Sequence, residues 1–173
     1  MAGFRPSRAR PNEPPMPDAL AYFLTWPTYG TWLPGDERGW VLRGKGSQPP
    51  APIRELEAMA RMSEGACILD QQQRHLVETT ITEHCRFRGW DLRAVNCRSN
   101  HLHVVVTADR SVKEVRNQFK AWCTRKLKEL QNARGHAGDS RIRDKWWAER
   151  GSGRYIGDED SLEAVILYVM EGQ

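Results

Sequence analysis

Hydrophobic positions along the chain recur alternately every second residue and every third or fourth residue, and the switches mark out strands and helices in turn. Leu20-Ala21-Tyr22-Phe23-Leu24-Thr25-Trp26 is apolar on both faces and is stopped by Pro27, which predicts a central strand. Asp70 and Gln73 have the spacing of a capping box, and Leu69, Gln73, Leu76, Thr80 or Ile81, His84 and Phe87 then recur at helical spacing to Arg88, where Gly89 ends the helix. Trp90 to Cys97 alternates Trp90, Leu92 and Ala94 against Asp91, Arg93 and Val95, a half-buried strand. A tight Arg98-Ser99-Asn100 connector joins it as an antiparallel hairpin to His101-Leu102-His103-Val104-Val105-Val106-Thr107. Ser111 and Glu114 box the start of a helix with Val112, Val115, Phe119 and Trp122 as its apolar stripe. Gln131 to Arg143 is polar and predicts a loop. Lys145 to Arg150 and Arg154-Tyr155-Ile156 flank Gly151-Ser152-Gly153, which predicts a hairpin supplying a fourth strand or extending it. Asp160 and Glu163 open a last helix that packs through Leu162, Val165, Ile166 and Val169.

Strand, helix, strand, strand, helix, strand, helix predicts an α+β fold, a ferredoxin-like antiparallel sheet with helices on one face. One domain over 19–173 accounts for this order. Residues 1–18 carry Pro6, Pro11, Pro14, Pro15 and Pro17 with Arg5, Arg8 and Arg10, the composition of a disordered basic tail. Between the first strand and the first long helix, 41–66 is a Pro- and Gly-punctuated insertion with a short helix through Arg54 to Met62, and this insertion and the loop before it, with Trp32 and Trp40, are candidates for nucleic-acid contact.

Composition narrows the class. The chain has 173 residues, enough for a real core, and 28% charged residues, as in ordinary globular proteins. No apolar run approaches a membrane span, and the N-terminal arginines lack an apolar region after them, so a cytoplasmic location is expected. Cys67, Cys85, Cys97 and Cys123 form no C-x-x-C pair, so they are read as reduced packing residues. A formal net charge of +4 permits a polyanionic partner without requiring one.

The chemistry concentrates in three places. On the strand 101–107, Leu102, Val104 and Val106 share one face, while His101 and His103 are neighbours on the other, an arrangement that suits two imidazoles meeting one metal ion or a plain surface pair. Ser99 and Asn100 orient that pair or make the turn. The helix that follows is basic, and Arg110, Lys113, Arg116 and Lys120 are candidates to line a groove for nucleic-acid backbone. Tyr168 lies about 120° from the packing stripe of the last helix, by the ~100° turn per residue, so it is not simply core. Tyr155, beside Arg154, is the rival nucleophile, with hydrogen bonding or stacking as its more ordinary role.

Asn100-His101-Leu102-His103 followed by three valines resembles the histidine–hydrophobe–histidine motif of HUH endonucleases, and Tyr168 to Gln173 resembles the nucleophilic-tyrosine helix of single-tyrosine transposases. Trp146-Trp147 before Arg154 to Glu159 is similar to the segment that precedes that helix in REP-associated tyrosine transposases. The resemblance covers roughly residues 20 to 173 and rests on the order of the three motifs more than on any one. It implies the HUH endonuclease fold and cleavage and rejoining of single-stranded or hairpin DNA at palindromic repeats. It further implies Tyr168 as nucleophile, Mg²⁺ or Mn²⁺ held by His101 and His103, and a monomer or homodimer with no membrane partner.

At one position the sequence departs from that family, whose third ligand is usually an amide side chain four residues after the tyrosine. Here that residue is Gly172. Glu171 lies about 60° from Tyr168 around an ideal helix and Gln173 about 140°, so Glu171 serves if the helix continues and Gln173 if it unwinds at Gly172. One rival reading is a hairpin-DNA-binding protein of the same fold that no longer cuts. A histidine-triad nucleotide hydrolase is disfavoured because Val105 stands where its third histidine would be.

Overall fold

The computed structural model describes residues 19–135 and 142–171; the predicted tail 1–18, the middle of the 131–143 loop, Gly172 and Gln173 lie outside the described residues. The elements are β1 (Ala21–Pro27), β2 (Trp40–Leu42), β3 (Gly46–Gln48), α1 (Pro52–Ala60), α2 (Gln71–Arg88), β4 (Asp91–Cys97), β5 (His101–Thr107), α3 (Val112–Ala133), β6 (Ser152–Ile156) and α4 (Glu159–Glu171). Four strands form one antiparallel sheet in the order β4-β5-β1-β6, the ferredoxin-like arrangement expected from the element order. Within the predicted insertion, β2 and β3 pair as a separate small hairpin, and α1 covers most of the helix expected there. None of the described helices is long and apolar enough to cross a membrane.

Both faces of the sheet are covered. Tyr22, Leu24 and Trp26 of β1 and Leu102, Val104 and Val106 of β5 join Val77, Ile81, Val115, Phe119 and Leu127 in the larger core, which α2 and α3 close. Ala21, Ala94, Val105 and Ile156 on the reverse face meet Leu162, Val165 and Val169 of α4. The helices expected on one face are therefore α2 and α3, and α4 lies on the other. Its apolar stripe is narrow, and the sheet face beneath it offers the small residues Ala21 and Ala94 for a helix to approach.

Capping is legible where the sequence spelled it out. Asp70 and Gln73 form the full box at α2, Gly89 ends that helix in the left-handed conformation at φ 68°, and Ser111 and Glu114 box α3. The last helix begins two residues earlier than expected, because the Asp158 carboxylate accepts the Ser161 amide at 2.8 Å and the Ser161 hydroxyl at 2.7 Å. The buried stripe of α3 runs Val112, Val115, Phe119, Cys123 and Leu127, so Trp122 falls at its exposed edge. On α2, Cys85 takes the buried place predicted for Phe87. All four cysteines are buried and free.

Two irregularities decide which residues reach which face. A register shift between Leu92 and Ala94 in β4 breaks the simple alternation, so Leu92 stays with the α2/α3 core while Ala94 and Asn96 turn toward α4. The expected hairpin at Gly151-Ser152-Gly153 does not form. Ser152 and Gly153 lie inside β6, paired with β1, and Trp147 makes only an isolated bridge to Thr28. A side-chain carbon at Gly153 would sit 2.0 Å from Val112 Cγ1, so glycine is there for the close approach of α3 to the strand and not for a turn. Gly153→Ala is expected to lower stability by about 1–3 kcal/mol, the cost of an overpacked contact, and Gly157→Ala, which meets nothing within 4 Å and has no left-handed backbone, by less; urea denaturation of the two variants against the parent checks this.

Candidate active site

Strand alternation places His101 and His103 on the α4 face of β5, opposite Leu102, Val104 and Val106. Their ring centroids are 4.8 Å apart. His101 Nδ1 lies 2.7 Å from Asn100 Oδ1, an oxygen that can only accept, so the proton is on Nδ1 and the Nε2 lone pair is left free. The Asn100 backbone is itself fixed, its carbonyl accepting from the Thr28 amide at 2.8 Å and from the Thr28 and Thr31 hydroxyls at 3.1 Å. Of the two roles read for Asn100, the side chain orients the histidine while the carbonyl ties the turn to the loop after β1. Ser99 contributes its carbonyl, which accepts from the Leu69 amide at 2.7 Å.

His103 is only 6% exposed. Its Nδ1 is 2.8 Å from Thr25 Oγ1, its cross-strand partner, and its Nε2 is buried with no hydrogen-bond partner. With Nδ1–H donating to Thr25, Nε2 presents the lone pair that a metal ion takes. Burial, then the neighbouring His101 and the Arg98 guanidinium, push the His103 imidazole down to about 4. Burial, Arg98 and Arg38 also lower His101. Both rings are thus held neutral at neutral pH, the protonation state of a ligand.

Tyr168 reaches the same place from α4. Its ring centroid is 5.6 Å from that of His103 and 6.1 Å from that of Phe23, which stacks on His103 at 5.5 Å. The residue is 46% exposed, so its predicted position off the packing stripe holds. Asn96, paired with His103 across β4 and β5, donates to the Val169 carbonyl at 2.8 Å and pins the helix turn that carries the tyrosine. Tyr155 is on the opposite face, buried edge-on against Tyr22 with centroids 5.3 Å apart. Arg154, by contrast, pairs with Phe23 on the histidine face.

The structure brings His101, His103 and Tyr168 together but not the expected basic groove. Arg116 and Lys120 are on α3, beyond the sheet from the histidines, where Arg116 Nη1 donates to the Gly151 carbonyl at 2.8 Å and Lys120 Nζ to the carbonyls of Ala148, Glu149 and Arg150 at 2.6, 3.2 and 3.2 Å. They fasten the segment that leads into β6, an arrangement invisible to a reading of one helix face. Burial and the adjacent Arg116 push Lys120 down to about 8. Arg110 and Lys113 are exposed at the start of α3. Glu171 is exposed at the end of α4, and among the described residues no three His, Cys, Asp or Glu side chains lie close enough to hold a metal ion. The donor set on hand is two imidazoles.

Four residues that the sequence reading did not single out as site residues belong here: Thr25, Asn96, Arg38 and Arg98. Only the cross-strand register and the β4 bulge identify the first two. Arg38 is set by a bidentate grip on buried Asp36, with Nε–Oδ1 2.7 Å and Nη2–Oδ2 2.6 Å, and by the Thr31 carbonyl at 2.8 Å. It grows from the turn-rich loop after β1, where nothing in the sequence marks it out.

No family model matches the chain, and no curated protein matches it. Solved structures similar to the chain include a REP-associated tyrosine transposase bound to a REP hairpin, at 13% identity and a TM-score of 0.47, over 98% of this chain and 70% of that one; and one described as a "putative transposase" from Deinococcus radiodurans, at 11% identity and a TM-score of 0.44, over 90% of this chain and 92% of that one. At these values the likeness says nothing of this chain's chemistry, which stands on the residues above.

Two outcomes are expected. In EDTA, the unfolded chain protonates His103 near pH ~6.5, whereas the native ring resists until about 4, so the unfolding free energy falls as pH drops through that window; His103→Gln flattens this part of the profile, read by urea denaturation at stepped pH. Lys120→Met frees the three carbonyls before β6 and is expected to cost about 1–3 kcal/mol, with faster hydrogen exchange at Ala148 to Gly151 and unchanged protection in β5.

Proposed function

We propose that the protein is a metal-dependent single-strand DNA endonuclease and strand transferase that works through a 5′-phosphotyrosine on Tyr168, a transposase-type activity on single-stranded or hairpin DNA. The observation that carries this reading is the convergence of Tyr168 with His101 and His103 on one sheet face, with His103 Nε2 buried and unpartnered beside the tyrosine ring. The motif resemblance from the sequence supports it independently.

In the proposed reaction the Tyr168 oxygen attacks the scissile phosphorus, the P–O bond to the 3′ oxygen breaks, and the phenolic proton leaves while the departing 3′ oxygen gains one. The strand's 5′ phosphate then sits on the tyrosine. Attack by a 3′-OH on that linkage runs the same step backward, exchanging one phosphodiester for another, so strands rejoin without an external energy source. A phenol ionises near pH ~10 in water, so positive charge must favour its anion at neutral pH. Arg38 and Arg98 bring positive charge to the His101 end of the site, close enough to lower that imidazole. His101 and His103 would hold Mg²⁺ or Mn²⁺ through Nε2, with Glu171 or Gln173 as the third ligand. Such an ion would supply Lewis-acid polarisation of the scissile phosphate. Phe23, stacked on His103, limits water on one side of that ring.

A second reading, a protein that binds hairpin DNA without cutting, is favoured by Gly172 four residues after the tyrosine and by the two-imidazole donor set among the described residues. The two readings separate in one experiment: the protein is incubated with labelled single-stranded DNA carrying its own flanking palindromes, in Mn²⁺ or EDTA, and run on a denaturing gel. A Mn²⁺-dependent covalent adduct is expected, lost in Tyr168→Phe and kept in Tyr155→Phe, whose side chain lies in the opposite core. Salt-sensitive binding with no adduct would leave the binding-only protein.

A further inference from the structure

At the edge of the sheet, where α2 begins and β4 turns into β5, lies a cavity of about 330 Å³ lined by Gln71, Arg74, His75, Glu78, Asn96 and Arg98. Among the described residues its one carboxylate is Glu78, which accepts the Cys97 backbone amide at 2.8 Å, and Arg74 and Arg98 bring two guanidiniums to the same walls. Arg74 Nε is buried and has no hydrogen-bond partner, although a guanidinium donor taken out of water ordinarily finds one. The cavity adjoins the site already described. Asn96 on its wall pairs with His103 and holds the Val169 carbonyl, one residue past Tyr168, and the Arg98 amide donates to the His101 carbonyl at 2.8 Å. The cavity and the histidine–tyrosine site are thus joined through Asn96 and the turn between β4 and β5.

We propose that the Arg74 cavity is a phosphodiester subsite, which grips a backbone phosphate of the strand neighbouring the scissile one, with Arg74 as its principal donor. A planar guanidinium matches a phosphate through paired N–H donors, and the subsite reads no base, so it sets the register of any strand whatever its sequence. The inference rests on the DNA-processing reading above and names where its substrate is held.

The test is fluorescence anisotropy of a labelled single-stranded oligonucleotide in EDTA, from 50 to 200 mM salt, with wild type, Arg74→Gln, Gln71→Glu and, as a control on the far helix, Arg125→Gln. Gln71 is exposed in the first turn of α2, so its replacement brings negative charge to the cavity wall without touching the core. Arg74→Gln is expected to bind roughly tenfold more weakly, the loss of one charge-assisted hydrogen bond, and to reduce the slope of log K against log salt by about 0.7. Gln71→Glu weakens binding in the same direction with an unchanged thermal midpoint, and Arg125→Gln binds as wild type does. If both cavity variants keep wild-type affinity and slope while the wild type still forms its Tyr168 adduct in Mn²⁺, the subsite is overturned and the catalytic reading stands. If they weaken binding while no adduct forms, the subsite stands and the catalytic reading falls. A wild type that binds no single strand overturns both. Inorganic phosphate and a 5′-mononucleotide are titrated in parallel; Arg74-dependent binding of these alone, with DNA binding unchanged in Arg74→Gln, would assign the cavity to a free phosphate ligand and overturn the strand assignment.

Discussion

The site depends on the register in which β1 pairs with β5. Leu24 opposite Val104 buries one side of this central pair, and Thr25 opposite His103 builds the other. A slip of one residue would send both histidines into the larger apolar core and turn Leu102, Val104 and Val106 toward α4, so the hydrophobic effect that fixes the core also fixes the chemistry. Leu24, Leu102, Val104 and Val106 are fully buried, and a one-residue slip of either strand would turn its share of them to the other face. The imidazoles are held by a central strand of the sheet rather than by a loop, which fixes their positions.

Around that register the remaining parts fall into a chain of positioning contacts. The β4 bulge turns Asn96 toward α4, Asn96 holds the turn that carries Tyr168, and Phe23 packs against both the tyrosine and the His103 ring. The loop after β1 does the same for the other end of the site, with Thr28 and Thr31 on the Asn100 carbonyl and Arg38 braced by Asp36. The cost is concentrated at His103, whose Nε2 lacks a partner in an interior where polar groups normally have one. An unsatisfied atom of this kind beside an exposed tyrosine has a physical rationale if a ligand completes it.

Much of this was legible in the sequence because it follows from period and caps. Alternation on the strand 101–107 separated the histidines from Leu102, Val104 and Val106, the Asp70 and Ser111 boxes marked two helices, and the helical period put Tyr168 off the stripe. What was not legible depended on pairs distant in the chain. Asn96 and Thr25 became site residues through a bulge and a cross-strand register that no local pattern encodes. Gly151-Ser152-Gly153 has turn composition, yet its Gly153 serves a close approach between β6 and Val112. Arg116 and Lys120 have the spacing of a phosphate-facing stripe, and only the fold reveals that they face the backbone before β6. Gln173, one of the two candidates for the third ligand, lies outside the described residues.

The central claim is that His101 and His103 offer their Nε2 atoms to one ion beside Tyr168. The most direct measurement is paramagnetic broadening of side-chain NMR signals as Mn²⁺ is added in substoichiometric steps to the DNA-free protein. The account predicts that the His101 and His103 rings broaden first, with the Tyr168 ring beside them, while the His84 ring, buried on the far face against Trp90 and Phe119, stays sharp. Broadening that begins at His84 or His75, or that spares His101 and His103, would contradict it.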